Sequence, residues 1–347
     1  MQSEESLMLK SKRFAVILSA AIFIVMPVIA QRSDNAREIT VTKGYAAPVI
    51  RQSARLQTIL DSAVNESLTA FRDKGFKPGD AAATLIDLTP SDRYDIASVR
   101  GEAQIYPASV VKLFYLAAIE RQIDEEKVRV TPELERGIHD MIVNSSNEAT
   151  QYILDVITDT SSGAEMPDKD FAVWQYKRNR VNRYFTALGY TNINVNQKTF
   201  CEDAYGIEQQ SRGYKGNNRN MLTTNAVARL LAEIVKGRMG SNAATSQMMN
   251  LLQREPFAAG PDDDQAHGFT GRMLIDQKMT DAKLWSKAGW TNKARHDAAY
   301  IETSDGLKFV LVIFTEDHAS ENGFIPMVAA KVINGLKADV TEHRQPR

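Results

Sequence analysis

Tyr106-Pro107-Ala108-Ser109-Val110-Val111-Lys112 is the stretch on which the reading of this chain turns. An apolar run from Val110 to about Ile123 follows it and predicts a helix that opens at the serine. A serine in that place sits at the positive end of the helix dipole, and its own N–H points outward toward an incoming oxyanion. Lys112 comes three residues later, on the same helix face and one turn away. Burial there makes a lysine ammonium easier to deprotonate, and the neutral amine can then activate the Ser109 hydroxyl as a nucleophile. This is the only Ser-x-x-Lys in the chain, about what chance supplies, so its weight depends on what surrounds it.

Two further groups supply that context. Ser145-Ser146-Asn147 offers a second hydroxyl to shuttle a proton to a leaving nitrogen, and an amide to hold both a substrate amide and the lysine. The same residues also read as a capping box, Ser145-x-x-Glu148, opening the next helix. Ser33-Asp34-Asn35 has a similar pattern but precedes Ser109 and is set aside. Farther on, Lys287-Ala288-Gly289-Trp290 lies in a predicted strand. A cation there suits a substrate carboxylate, Gly289 lets a substrate backbone come close, and the Trp290 N–H can serve as a second oxyanion donor.

The periodicities place these groups in order. Leu56, Ile59, Leu60, Ala63, Val64, Leu68 and Phe71 recur at helical spacing, with Gly75 as the stop. Strands follow at 82–88 and 94–99, with Thr89-Pro90-Ser91-Asp92 as a turn between them. Helices are expected from Thr131-Pro132-Glu133 to near Asn144, over 148–157, over 181–188, and from Thr224 to Lys236. Residues 159–170 read as loop, Tyr176 to Arg180 as a solvated helix start, and 190–222 as a long polar loop of the kind that carries function. Strands return at 283–290, 298–303 and 309–315, with Ser304-Asp305-Gly306 as a hairpin turn, and a helix closes the pattern over 324–336. Strands at both ends and helices between them predict an α+β fold: one antiparallel sheet from both chain ends, flanked by helices, with an all-helical subdomain inserted over about 113–270.

In this order and setting the three groups resemble the S-x-x-K, S-[DX]-N and K-T-G set of class A β-lactamases and penicillin-binding proteins, over roughly residues 50 to 338. The resemblance implies a β-lactamase/DD-peptidase-like catalytic domain over 51–338, with its site in the groove between sheet and helical subdomain. Ser109 would be acylated and Lys112 would be its base or part of its relay. Ser145, Asn147, Lys287, Gly289 and Trp290 would line the cleft. The implied partner is a small β-lactam or a cell-wall peptide, and the implied reaction is hydrolysis of the β-lactam amide through an acyl-serine.

The departures from that set bear on turnover. Ser145 follows Ser109 by 36 residues, a short interval for class A enzymes. Ser146 stands where Asp is usual, and Ala288 replaces a carboxylate-binding hydroxyl, for which Arg295 is a partial substitute. Class A enzymes carry an E-x-x-x-N pattern whose glutamate activates the deacylating water. Here Glu202 and Glu208 are the candidates, and neither has Asn four residues on. The resemblance therefore implies slow deacylation. The alternatives are a D-alanyl-D-alanine peptidase or esterase, and a binding protein without turnover.

A formal net charge of −1 and the absence of a basic block argue against a nucleic-acid partner. Lys10, Lys12 and Arg13 precede an apolar run over 14–30 ending in Val-Ile-Ala, which reads as a signal peptide (1–30) or an uncleaved N-terminal anchor. The expected location is periplasmic or extracellular, with membrane contact only through 14–30. Residues 31–50 read as linker and 339–347 as a polar tail. Cys201 is the only cysteine and is expected as a small buried hydrophobe. The five histidines lack metal-ligand spacing, so neither metal nor other cofactor is expected. His296-Asp297 does not suggest a triad, because adjacent strand residues face opposite ways.

Overall fold

In the computed structural model, which describes residues 36–89, 93–258 and 264–344, apolar runs from opposite ends of the chain pair with each other. Ala81–Asp87 (β2) lies antiparallel to Lys308–Glu316 (β7), with Leu85 opposite Leu311. Both strands are buried along nearly their whole length, as expected of strands covered on both faces. Alternation divides their side chains between two cores. Phe309, Leu311 and Ile313 join Leu56, Leu60 and Val64 of Ala54–Ala70 (α1) and Val328, Val332 and Ile333 of the closing helix Phe324–Arg344 (α12). Val310, Val312 and Phe314 face the second core, built on the buried helix Lys112–Asp124 (α2) and on Thr224–Val235 (α8).

The sheet continues through Ile50–Gln52 (β1), Tyr94–Val99 (β3), Gln253–Arg254 (β4), Lys283–Trp290 (β5) and Ala294–Glu302 (β6) in the order β1-β3-β2-β7-β6-β5-β4. Every neighbour is antiparallel except β1, which runs parallel to β3, so the sheet is mixed where an antiparallel one was expected. Helices fill the interval between β3 and β5. After α2 come Pro132–Ile142 (α3), Asn147–Thr158 (α4), Asp168–Arg178 (α5), Arg180–Ala187 (α6), Ile207–Arg212 (α7), α8, Asn242–Leu252 (α9), Asp264–His267 (α10) and Thr270–Asp276 (α11). The architecture is the expected α+β one.

Residues 39–347 form one compact unit, and of the residues before it only 36–38 are described. The apolar run 14–30, Ser33-Asp34-Asn35, the turn residues 90–92 and the last tail residues 345–347 lie outside the described residues. Among the described residues no helix is long and apolar enough to cross a membrane. The start of the compact unit, read as linker, is irregular but packed: Ile39 is buried, Arg121 donates to the Thr40 carbonyl at 3.0 Å, and the Tyr45 hydroxyl donates to Glu233 at 2.5 Å.

Two expectations in the helical layer are corrected. Tyr176 to Arg180, read as a solvated helix start, is the end of α5 and the start of α6; Tyr176 is exposed there, but Arg178 and Arg180 are fully buried. Arg178 forms an ion pair with Glu208 at 2.7 Å and stacks over Trp174, while Arg180 donates to the Ile157 carbonyl at 3.0 Å. Paired in this way, an arginine can be buried without an orphaned charge. The polar stretch 190–222, read as a long loop, contains α7 and is held by a lattice of amides. Asn196 donates to Asn179 and Asn218, and Asn220 accepts from the backbone N–H groups of Asn196 and Gln197. Such side-chain pairing supplies the partners that regular structure would otherwise provide.

Candidate active site

Ser109 lies in a single 3₁₀ turn, Ala108–Val111, that runs directly into α2. Ala108, just before it, is held at φ +45°, a strained conformation for a residue with a side chain. Two features hold the turn. His296 Nε2 lies 2.9 Å from the Tyr106 carbonyl, while its Nδ1 accepts from the Thr315 N–H at 3.2 Å. That pairing fixes the tautomer with the proton on Nε2, and burial lowers the ring pKa to about 4, so it stays neutral. Asp297 points the other way and accepts from the Thr270 N–H at 3.0 Å. The second feature is Gly289. A Cβ there would meet Ser109 N at 2.7 Å, Val110 N at 2.8 Å and the Pro107 carbonyl at 2.9 Å, so the strand touches the serine turn only because residue 289 is glycine.

The edge of β5 faces the turn. β4 pairs only with Leu284 and Trp285, which leaves Ser286 to Trp290 without a strand partner on that side among the described residues. The Ala288 N–H points to this open edge, because Gln265 Oε1 accepts from it at 3.3 Å. Backbone groups alternate along an antiparallel strand, so the Trp290 N–H, two residues on, points the same way. The Trp290 N–H at this edge and the Ser109 N–H in the adjoining turn are thus the candidates for an oxyanion site.

Lys112 is fully buried at the first position of α2. Its Nζ donates to the Ser145 carbonyl, to Ser145 Oγ at 3.3 Å, to the Ser146 carbonyl at 3.3 Å and to Asn147 Oδ1 at 3.1 Å. Burial lowers its pKa to about 7, against the opposing pull of Glu148 and Cys201. A neutral lysine near neutral pH is what a general base for the Ser109 hydroxyl requires.

Ser145 connects this lysine to the sheet. It sits between α3 and α4 at φ +54°, and its Oγ accepts from Lys287 Nζ at 2.9 Å. The capping box expected at Ser145 is not formed. Ser146 is the cap, accepting from the Ala149 N–H at 3.1 Å, and the Ser145 hydroxyl is left to the two lysines. Lys287 is fully buried and also donates to Gln265 Oε1 at 2.5 Å and to its neighbour's carbonyl at 2.8 Å. Its N–H groups are aimed at protein acceptors, so toward a substrate carboxylate it contributes mainly positive potential.

The other candidates are dispersed. Arg295 donates to the Gly268 carbonyl at 2.6 Å and stacks over Phe269, beside the half-exposed Trp290 ring. Glu202 is exposed. Glu208 is buried against Arg178, Lys198 and Ser162; burial pulls its pKa up, but those partners outweigh it and hold the carboxyl below the usual value. Among the described residues no hydrogen bond joins Glu208 to Ser109, Lys112 or Ser145. The loop side chain that does reach the group is Cys201, expected to be buried but found exposed, with its sulfur 3.5 Å from Asn147 Nδ2. Gln265 was also missed. It positions Lys287 and anchors its own amide on the Ile142 and Val143 carbonyls at 3.3 and 2.7 Å. No spacing rule in the sequence links it to Lys287.

A serine at a strained turn, a lysine of lowered pKa three residues on and a second serine strung between two lysines make a serine hydrolase-like site. The sequence profile of the Beta-lactamase enzyme family matches residues 63–336, and the chain belongs to that family. No protein of curated function is recognisably similar in sequence. Among solved structures, the β-lactamase from Sphaerobacter thermophilus is 17% identical and superposes with a TM-score of 0.57 over 83% of this chain and 99% of its own. PBP-A gives 16%, 0.55, 84% and 100%, and the extended-spectrum β-lactamase TLA-1 gives 14%, 0.58, 80% and 99%. A PBP-A variant solved as its penicillin G acyl-enzyme is similar to the same extent, at 17% and 0.55. At these identities the likeness is one of fold.

Proposed function

We propose that this chain opens β-lactam amides through an acyl-Ser109 intermediate and releases the acid slowly. The observation that carries the reading is the Ser145 hydroxyl, within hydrogen-bond distance of both Lys112 Nζ and Lys287 Nζ. Neutral Lys112 takes the Ser109 proton as Oγ attacks the lactam carbonyl, and the oxyanion forms against the N–H groups of Ser109 and Trp290. The proton then passes from Lys112 through Ser145 Oγ to the lactam nitrogen, and the C–N bond breaks. Asn147, bonded to Lys112, orients the substrate amide.

Slow release is supported by the surroundings of the two loop glutamates: Glu202 is exposed, and Glu208 is committed to Arg178. Neither glutamate is then placed as a carboxylate base for deacylation, an assistance usually worth about 10²–10⁴-fold. The same feature favours a second reading, a D-alanyl-D-alanine peptidase or esterase whose acyl-enzyme goes to a cell-wall acceptor. Intact-mass analysis after addition of a penicillin tests the first, which requires the adduct to decay; turnover of an acyl-D-alanyl-D-alanine peptide alongside a penicillin adduct that does not decay would favour the second. We also propose export through residues 1–30, supported by the basic-then-apolar pattern there. Full-length chain recovered as a cytoplasmic protein would overturn that part.

A further inference from the structure

Glu120 lies two turns beyond Lys112 on α2 and plays no part in the chemistry at the helix start. The residue is only 4% exposed, yet it lines a cavity of about 460 Å³ between the end of α2, the first half of α3 and the start of α9. Ile123, Ile138 and Ala244 provide apolar walls, and Asp124, Glu126 and Glu135 add further carboxylates; among the described residues no Lys, Arg or His lines the space. Among the described residues no hydrogen-bond donor reaches the Glu120 carboxylate. Asp124, by contrast, is committed to Arg121 at 3.1 Å and to the Ser241 N–H at 3.0 Å.

Glu120 has its stem buried and no protein donor, while its carboxylate oxygens open onto the cavity, so the charge is only partly solvated there. Burial, reinforced by the neighbouring Asp124, raises the Glu120 pKa to about 7. The negative end of the α2 dipole points into the same region and adds to the demand for a cation. Among the described residues no three His, Cys, Asp or Glu side chains come together as a metal site. What fits is a cation with an apolar stem, since apolar walls above a polar floor match methylenes ending in a charge.

We propose that this cavity binds an alkylammonium group, with the ammonium on Glu120 and its methylene chain against Ile123, Ile138 and Ala244. A free polyamine and a lysine side chain share that chemistry. The exposed Glu126 and Glu135 draw the cation in, an attraction that salt screens. The site stands independently of the reaction at Ser109.

The test is calorimetric titration of the whole protein with putrescine and, separately, with N-acetyl-lysine methylamide, using butanediol as the uncharged control. Saturable binding of either amine, weakened about tenfold or more in Glu120→Gln, is expected. Binding of putrescine alone identifies a free polyamine, and binding of the lysine amide identifies a peptide side chain. Ala244→Leu, which fills the cavity and keeps Glu120, removes binding as well, so loss in both variants with unchanged thermal unfolding excludes misfolding as the cause. Binding also weakens as pH falls through about 7, as Glu120 takes up a proton. The other titratable groups facing it are Asp124 on its own helix, Glu126 in the following turn and Glu135 on α3; α9 contributes none. Absence of saturable binding for both amines, equal binding of butanediol, or undiminished binding in Glu120→Gln overturns the proposal.

Discussion

The hydroxyl of Ser145 lies 2.9 Å from the ammonium of Lys287, a residue 142 positions away in the chain. On its other side it meets Lys112 at 3.3 Å, so one hydroxyl joins the buried lysine at the start of α2 to the buried lysine on the sheet edge. In the proposed reaction Ser145→Ala removes the step that returns the proton to the leaving nitrogen, and it leaves two buried lysines short of an acceptor. Acylation by a penicillin is expected to slow by about 10²–10⁴-fold. Stability is expected to fall by about 1–3 kcal/mol. Stopped-flow acylation and denaturant unfolding of the variant read the two effects; wild-type acylation in Ser145→Ala would remove Ser145 from the relay.

As the proposed base, Lys112 can act only when neutral, and burial brings its pKa to about 7. The acylation rate should therefore rise with pH and level off above about 7, falling tenfold per unit on the acid side. Lys112→Arg keeps the charge at every accessible pH and should abolish acylation throughout. A profile that stays flat from about pH 5 to about 9 would show that Lys112 does not titrate in this step.

Gly289 touches the serine turn through backbone atoms that cannot rotate away. Gly289→Ala should push β5 from Ser109 and open the oxyanion site. A stability loss of about 1–3 kcal/mol is expected, as for overpacking elsewhere. Acylation should fall by more than that change in unfolding alone would produce. Unchanged acylation at reduced stability would mean that the two N–H groups do not act together.

Cys201 is exposed beside Asn147. Alkylation of this single thiol by N-ethylmaleimide should slow acylation by about tenfold or more, by crowding the group that orients the substrate. Cys201→Ala should be nearly neutral, because a thiol sulfur is a weak hydrogen-bond acceptor. A large loss in Cys201→Ala would instead give the thiol a chemical role.

Much of the site could be read from sequence because its parts are short and local. Ser109 and Lys112 are one turn apart, and Lys287 and Gly289 belong to one strand, so spacing alone describes them. The helical layer was less legible where long-range pairing decides. Nothing in the sequence near Arg178 announces that Glu208, thirty residues on, will bury it. The cap at 146 was misread because both Ser145 and Ser146 carry the hydroxyl, and only the left-handed backbone at Ser145 settles which one turns to the helix. The stretch 190–222 lacks periodicity because amide side chains hold it in place of a regular ladder, so hydrophobic pattern could not reveal its order.

The most direct test is the mass of the intact protein followed in time after mixing with one penicillin. The account requires an adduct of the whole drug on Ser109, mapped by peptide digestion, that builds up and decays slowly, and no adduct in Ser109→Ala. An adduct on another residue, or rapid hydrolysis with none detectable, would contradict it.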